Sequence, residues 1–356
     1  AWRIRCVLYA PCMTSIQLDH VHVVLDKTEV LTDVSLTIPS GEFLVVIGPS
    51  GSGKSTLLRT IAGLDSVSSG DVMYDGRSMV DLKPSQRDVA MVFQDNALIP
   101  FKTVKQNVAF PLEVHRVKKQ EISDRVMAES RVMAIDRFLS RMPRELAAGQ
   151  QQLVQAARAL VRRPDAFLLD EPLARVDPIQ RKAMRSEIKL LAEGYGVTTV
   201  YATNDPTEAM TLGDRIAIVD KGRIRQVGTP KDLYENPTDT FVAGFLGIPS
   251  MSFLEGSLTD REVRVSAGAF PVPQSGRSGK VIVGIRPHDW DMVDAAGVDG
   301  TLQSLEELGD HAVGVVDLAG DDVTVRFDGA RPNLGGLVQL WPKRIHLFDS
   351  SGRALR

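Results

Sequence analysis

A five-residue apolar run, Phe43-Leu44-Val45-Val46-Ile47, leads directly into Gly48-Pro49-Ser50-Gly51-Ser52-Gly53-Lys54-Ser55-Thr56. That junction reads as a buried strand, a glycine-rich loop and a helix starting near Lys54. The glycines let backbone close around a ligand without intervening Cβ atoms, and successive N–H groups then point inward as an anion nest. The helix that follows adds the positive end of its dipole. A nucleoside triphosphate matches this chemistry: Lys54 reaches the β- and γ-phosphates, and the Ser55 hydroxyl binds Mg²⁺. An ordinary glycine turn is the plain alternative, and the preceding strand argues against it.

Composition limits the rest. The 356 residues exceed what one hydrophobic core usually serves, so two domains are expected. A hydrophobic content of 43% with 24% charged residues is that of a globular chain. The net charge of −3 supplies no global field for nucleic acid or an anionic membrane. No apolar run approaches the roughly 20 residues that cross a bilayer, so membrane association is expected to go through partner proteins. Cys6 and Cys12 fit neither a CxxC redox pair nor a zinc site, and read as thiols in a reducing cytoplasm. Residues 1–12, basic then apolar and broken by Pro11, read as an N-terminal extension, with the first domain starting near Met13.

Strand-like stretches cover Ile16–Val24, Val30–Ile38, Phe43–Ile47, Gly70–Gly76, Val89–Phe93, Ala166–Asp170 and Thr198–Tyr201. Two more, Ile216–Val219 and Ile224–Val227, flank a Lys221-Gly222 turn. Between about Val104 and Arg162 the pattern is mostly helical. An α/β domain over residues 13–240, with a helical insertion at about 95–162, is therefore expected. Past Phe241 short β-rich pieces recur between Gly, Pro and Asp: Glu262–Val265, Val281–Gly284, Ala312–Leu318, Val323–Phe327 and Leu337–Leu340. They predict a small all-β domain over 241–356. Its slight acidity and few aromatics argue against a nucleic-acid-binding barrel.

Phe167-Leu168-Leu169-Asp170-Glu171 ends an apolar strand in two carboxylates, where a core meets a cleft. Asp170 reads as a Mg²⁺ ligand through water, and Glu171 as the group that polarises the attacking water. Any strand can end in acids; the phosphate loop gives this pair its meaning. Gln94, ending another strand, could contact both metal and water, its plain alternative being a surface amide.

Leu146-Ala147-Ala148-Gly149-Gln150, Ala156–Val161, Leu168–Pro172 and Asp177 resemble the signature-to-Walker-B segment of ABC-type ATPases, and Met91–Gln94 resembles their Q-loop strand. Gly228-Thr229-Pro230, Leu233-Tyr234 and Asn236-Pro237 resemble the close of the nucleotide domain in importer ATPases. Gly284–Pro287 and His346–Phe348 resemble the OB-like C-terminal regulatory domain of the maltose-type sugar-importer branch. The resemblance implies a P-loop NTPase that sandwiches two ATP molecules in a head-to-tail homodimer or heterodimer. Each site would pair one chain's phosphate loop with the Ala147–Gln150 signature turn of the other, with Asp177 also among the nucleotide-binding residues. It further implies an ATPase at the cytoplasmic face of the membrane, driving two permeases that take up a sugar or similar polar solute. An extracytoplasmic solute-binding protein is the indirect partner. The helical insertion and Ala97–Leu112 would dock on the permeases; the plain alternative for that stretch is a connecting loop.

Several positions depart from the family. Ala147 stands for the signature serine, whose bond to the γ-phosphate across the dimer is worth about 1–3 kcal/mol. Ala148 stands for a glycine that lets backbone approach closely. Asn204 replaces the switch histidine; its amide can donate to the γ-phosphate but carries no charge, and charge-assisted bonds are about twice as strong. Leu25 aligns with the aromatic that stacks on adenine, a contact worth about 1–3 kcal/mol. Leu153 replaces an arginine. MgATP binding is expected to survive these changes, and hydrolysis to be slowed or confined to pairing with an intact relative. The alternative is an ATP-binding regulatory or structural subunit with little turnover, against which the intact Glu171 counts. A kinase would need a phosphoryl-acceptor pocket, of which the sequence carries no sign.

Overall fold

The computed structural model describes residues 14–94, 98–174, 176–273, 276–329 and 331–355. The expected extension 1–12, its border at Met13, and Ala97 of the expected docking stretch lie outside these residues. Two compact units divide after Pro230, ahead of the compositional change past Phe241.

In the first unit an antiparallel sheet comprises β1 (Ile16–Leu25), β2 (Thr28–Ile38), β4 (Ser69–Tyr74) and β5 (Arg77–Ser78), in the order β2-β1-β4-β5. The β1–β2 hairpin turns on Asp26 and Lys27, both at positive φ, as a two-residue turn between twisted strands requires. The second sheet comprises β3 (Phe43–Ile47), β6 (Val89–Val92), β7 (Ala166–Asp170), β8 (Thr198–Thr203), β9 (Arg215–Asp220) and β10 (Arg223–Gly228). Its order is β10-β9-β3-β8-β7-β6, with only β10 antiparallel. Every residue of β3, β7 and β8 is buried, as strands covered on both faces of a parallel sheet must be. The sheet therefore delivers the ends of β3, β6, β7 and β8 to one edge.

Helix α1 (Lys54–Ala62) follows β3. Its Leu57, Leu58 and Ile61 join a core that also takes Ile16 and Leu18 of β1 and Leu44 and Val46 of β3. Each such side chain contributes about 1.5–3 kcal/mol by leaving water. The buried Arg87 guanidinium donates to the carbonyls of Thr60 (2.9 Å), Ile61 (2.8 Å) and Met79 (2.7 Å), satisfying the last turn of α1. Helices α2 (Val104–Val114), α3 (Lys119–Val132) and α4 (Ala148–Leu160) form the insertion between β6 and β7. The Tyr195 hydroxyl, at the end of α5 (Pro178–Tyr195), donates to the buried Glu129 carboxylate of α3 and ties the insertion down. Helix α6 (Pro206–Leu212) connects β8 to β9.

The second unit opens with α7 (Pro230–Glu235), whose first residue is the last of the first unit, and α8 (Thr240–Phe245). One antiparallel sheet holds β11 (Ser252–Leu258), β12 (Glu262–Val265), β13 (Gly268–Pro271), β14 (Gly279–Ile285) and β20 (His346–Asp349). The other holds β15 (Trp290–Met292), β16 (Val298–Glu307), β17 (Ala312–Leu318), β18 (Asp321–Phe327) and β19 (Leu337–Pro342). Inward residues of both, among them Leu254, Val263, Phe270 and Val283 with Leu302, Val316, Val323 and Leu340, share one core. This is the expected β-barrel-like tail. Arg286, only 1% exposed, donates to the carbonyls of Leu246 (2.9 Å) and Tyr234 (2.6 Å) and lies 3.5 Å over the Tyr234 ring. It thereby fastens the two helices to the sheets.

Burial, helped by the nearby Arg344 and Arg286 charges, pushes His346 down to about 4 from an ordinary 6.5. The unfolded chain then takes up a proton between those values that the folded chain refuses. Stability of this unit should be full above pH 6.5 and fall as pH drops towards 4. Melting temperatures recorded between pH 7.5 and 4.5 should show that decline, and His346→Gln should flatten it.

Candidate functional site

The loop between β3 and α1 is shaped by close backbone approach. A Cβ at Gly48 would lie 2.0 Å from the carbonyl oxygen of Val219 on neighbouring β9, so only glycine fits. Gly53 sits at φ +105°, where a side chain would be strained and 2.9 Å from Leu31 Cδ2. The Ser52 carbonyl accepts from the N–H of Gly222, and the Gly222 carbonyl accepts from Thr32 N–H (each 2.9 Å). The β9–β10 turn therefore clamps the loop onto β2. Half-buried Pro49 and exposed Ser50 form its rim, Gly51 turns at φ +78°, and Thr56 continues α1.

Lys54 is 4% exposed. Its Nζ donates to the carbonyls of Gly48 (2.9 Å) and Pro49 (3.0 Å) and lies 3.8 Å from Glu171 Oε1. Burial pushes the ammonium's pKa down, while the Glu171 and Asp170 charges pull it back. The Ser55 hydroxyl donates to Asp170 Oδ1 at 3.0 Å. Asp170 is pushed up, chiefly by burial and against that hydrogen bond. Gln94 Nε2 donates to Glu171 Oε2 at 3.1 Å. Five predicted residues, Lys54, Ser55, Gln94, Asp170 and Glu171, thus meet at the ends of β3, β6 and β7. Two hard oxygen donors, the Ser55 hydroxyl and an Asp170 carboxylate oxygen, sit side by side, a set that suits Mg²⁺ completed by phosphate oxygens.

Glu171 carries a feature its residue type does not announce. Its φ is +43°, a left-handed backbone that costs a non-glycine residue roughly 1–2 kcal/mol. A 2.9 Å bond from its N–H to the Ala202 carbonyl holds it there. Asn204, exposed, follows directly on the adjacent strand β8. That strand end is fixed by the buried Glu208 carboxylate, which accepts from Tyr201 (2.8 Å) and Thr203 (2.7 Å) hydroxyls. Only the Thr203-to-Glu208 helical-start spacing hints at this network in the sequence.

The other predicted residues lie elsewhere. Leu25 closes the β1–β2 hairpin, half-buried against the core. Ala147 and Ala148, both exposed, begin α4; Gly149 is buried beneath them, where a Cβ would lie 2.9 Å from Gln180 Oε1 of α5. Gln150 Oε1 accepts from Ala147 N–H at 3.1 Å. Ala147 is the N-cap of α4 and has no side-chain acceptor, so half a capping box is made. Asp177 caps α5 by accepting from Gln180 N–H at 3.0 Å. Leu153 lines a small apolar cavity, about 20 Å³, with Met133, Phe167, Leu169, Met184 and Ile188, surroundings that favour leucine over an arginine.

Residues 31–174 match the ABC transporter family model. The chain is 41% identical over 342 residues to the sn-glycerol-3-phosphate import ATP-binding protein UgpC of Ruegeria pomeroyi, covering 95% of this chain and 97% of that one. It is 42% identical over 358 residues to the oligosaccharides import ATP-binding protein MsmX of Bacillus subtilis, covering 95% and 98%. Among solved structures it is similar to the dimeric ATP-binding cassette MJ0796 in a post-hydrolysis state bound to ADP and Pi. That likeness has a TM-score of 0.55 at 31% identity and covers 60% of this chain and 98% of that one.

Ala147→Ser should complete the capping box, its hydroxyl accepting from Gln150 N–H. The expected gain is about 1 kcal/mol, read as a higher denaturant midpoint for the first unit. A midpoint that does not move would show the turn to be differently built.

Proposed function

This chain belongs to the ATP-binding subunits of ABC transporters, and on that premise we propose that it hydrolyses MgATP at Lys54 to energise import of a sugar or related polar solute. The observation that carries the chemistry is the meeting of Lys54, Ser55, Gln94, Asp170 and Glu171 at one sheet edge. An incoming triphosphate competes with the Gly48 and Pro49 carbonyls for the ammonium, and Lys54 turns to the β- and γ-phosphates. The amides of Gly48–Thr56 receive the phosphate oxygens. Ser55 and Asp170, with Gln94, hold Mg²⁺, which neutralises charge building on the phosphates. Drawing Lys54 and Gln94 away leaves the Glu171 carboxylate free to orient and deprotonate water. Asn204 donates to the γ-phosphate from the neighbouring strand end.

Turnover is slow in this reading, because the second half of the site is thinned. The Ala147–Gln150 turn of a dimer partner offers helix N–H groups but no hydroxyl, Asn204 offers no charge, and Leu25 offers no ring for adenine. Asp177 completes the partner's contribution through backbone order, since its carboxylate is engaged in capping. The dimer is head-to-tail, with a second copy or an intact relative. Two permeases dock where apolar side chains are exposed on and before α2, Phe101 at 76% and Val114 at 62%. A solute-binding protein outside the membrane supplies the cargo. No described helix is long and apolar enough to cross a membrane, which suits a peripheral subunit at the cytoplasmic face. The β unit serves regulation.

Lys54→Ala should abolish binding of a fluorescent ATP analogue. Glu171→Gln should bind it as tightly as the parent while losing about 10²–10⁴-fold in phosphate release. Unchanged release in Glu171→Gln would remove that carboxylate from the chemistry.

A further inference from the structure

Two loops that must act together on the γ-phosphate are bridged by one side chain. Arg181 lies in the first turn of α5, on the helix that Asp177 caps. Its Nη2 donates to the Val176 carbonyl at 3.1 Å, inside the segment that runs from Glu171 to Asp177. Its Nη1 lies 3.7 Å from Asp205 Oδ2, on the residue directly after Asn204. Asp205 is itself held on three sides. Its Oδ1 accepts from Thr207 N–H (2.8 Å) to cap α6, and its own N–H donates to the Thr203 hydroxyl (3.1 Å). The third hold is Arg181. The side chain is half-buried, and its buried Nε finds no acceptor among the described residues.

We propose that Arg181 is a positioning residue that yokes the Glu171–Asp177 loop to the Asn204 segment, so that general base and γ-phosphate donor move into place as one unit. The proposal rests on the roles given above to Glu171 and Asn204. A planar guanidinium suits this task because its fork addresses a carbonyl and a carboxylate in fixed relative geometry, which a lysine ammonium on a flexible stem does not. Neither partner is a phosphate, so Arg181 affects the chemical step and leaves nucleotide affinity alone. Movement of Asn204 on nucleotide binding is passed through Asp205 and Arg181 to Val176, and so to the segment that faces a dimer partner.

The test is single-turnover phosphate release by the full chain, with MgATP affinity measured in parallel. Arg181→Ala should slow release about tenfold with MgATP affinity within twofold of the parent. Arg181→Lys, which keeps the charge and the fold, should recover only part of the loss. In an Asn204→Ala background, Arg181→Ala should cost less than it does in the parent, whereas a residue that merely supports folding would add its full loss. Release at the parental rate in both Arg181 variants, or losses that multiply in the double variant, would overturn the proposal. Lys54→Ala serves as the separate control: retention of MgATP there would overturn the phosphate-loop reading itself, independently of Arg181.

Discussion

A positive charge almost wholly removed from water has to be surrounded by oxygen, and the placing of Lys54 follows from that requirement. Its ammonium is met by two carbonyls of its own loop and by a carboxylate from β7. For those carbonyls to turn inward the loop must pass tightly against β9, which is why Gly48 admits no side chain. For the carboxylate to arrive, β7 must end two strands from β3 in a parallel sheet, with β8 between them. The continuous apolar strands, the loop glycines and the acidic strand end are therefore one solution to one desolvation problem.

The departures from the family are unevenly distributed. Within the chain the Lys54 cluster is complete, and each member has a partner. The surfaces that would meet a second chain or the base are the ones simplified: a cap without a hydroxyl, an uncharged amide, a leucine in place of a ring. Leu153 differs from these because its surroundings are apolar, so a leucine there is accommodated by packing. Under the proposed function, binding strength and turnover would thereby be separated, since the groups proposed to grip the triphosphate lie within one chain while those proposed to sense its last phosphate are shared.

Much of this was legible from residue order alone. Phe43–Ile47 and Ala166–Asp170 are unbroken apolar runs, and such runs announce strands covered on both faces. The phosphate loop and the Asp170–Glu171 pair are read from spacing, because their chemistry is contiguous. Strands such as β11 and β16 are harder to read, since β11 turns the apolar Phe253 outward beside Leu254 and β16 loses its alternation at the register shift between Leu302 and Ser304. The left-handed turn at Glu171 and the capping role of Asp177 were equally hidden: φ is set by the bond to Ala202 on another strand. Arg286 resembles a family motif in sequence, yet only the fold shows that its charge is answered by carbonyls and an aromatic ring.

That last arrangement bears on where the tail begins. The acceptors of Arg286 are Tyr234 and Leu246, which lie on and just after helices that precede the first β strand of the tail. A joint placed at the change in composition would leave a main-chain carbonyl at both positions, since any residue supplies one, but would separate the guanidinium from the Tyr234 ring it lies against. The helical lead-in from Tyr234 to Leu246 is thus part of the same packed module, which is longer than its β-rich appearance suggests.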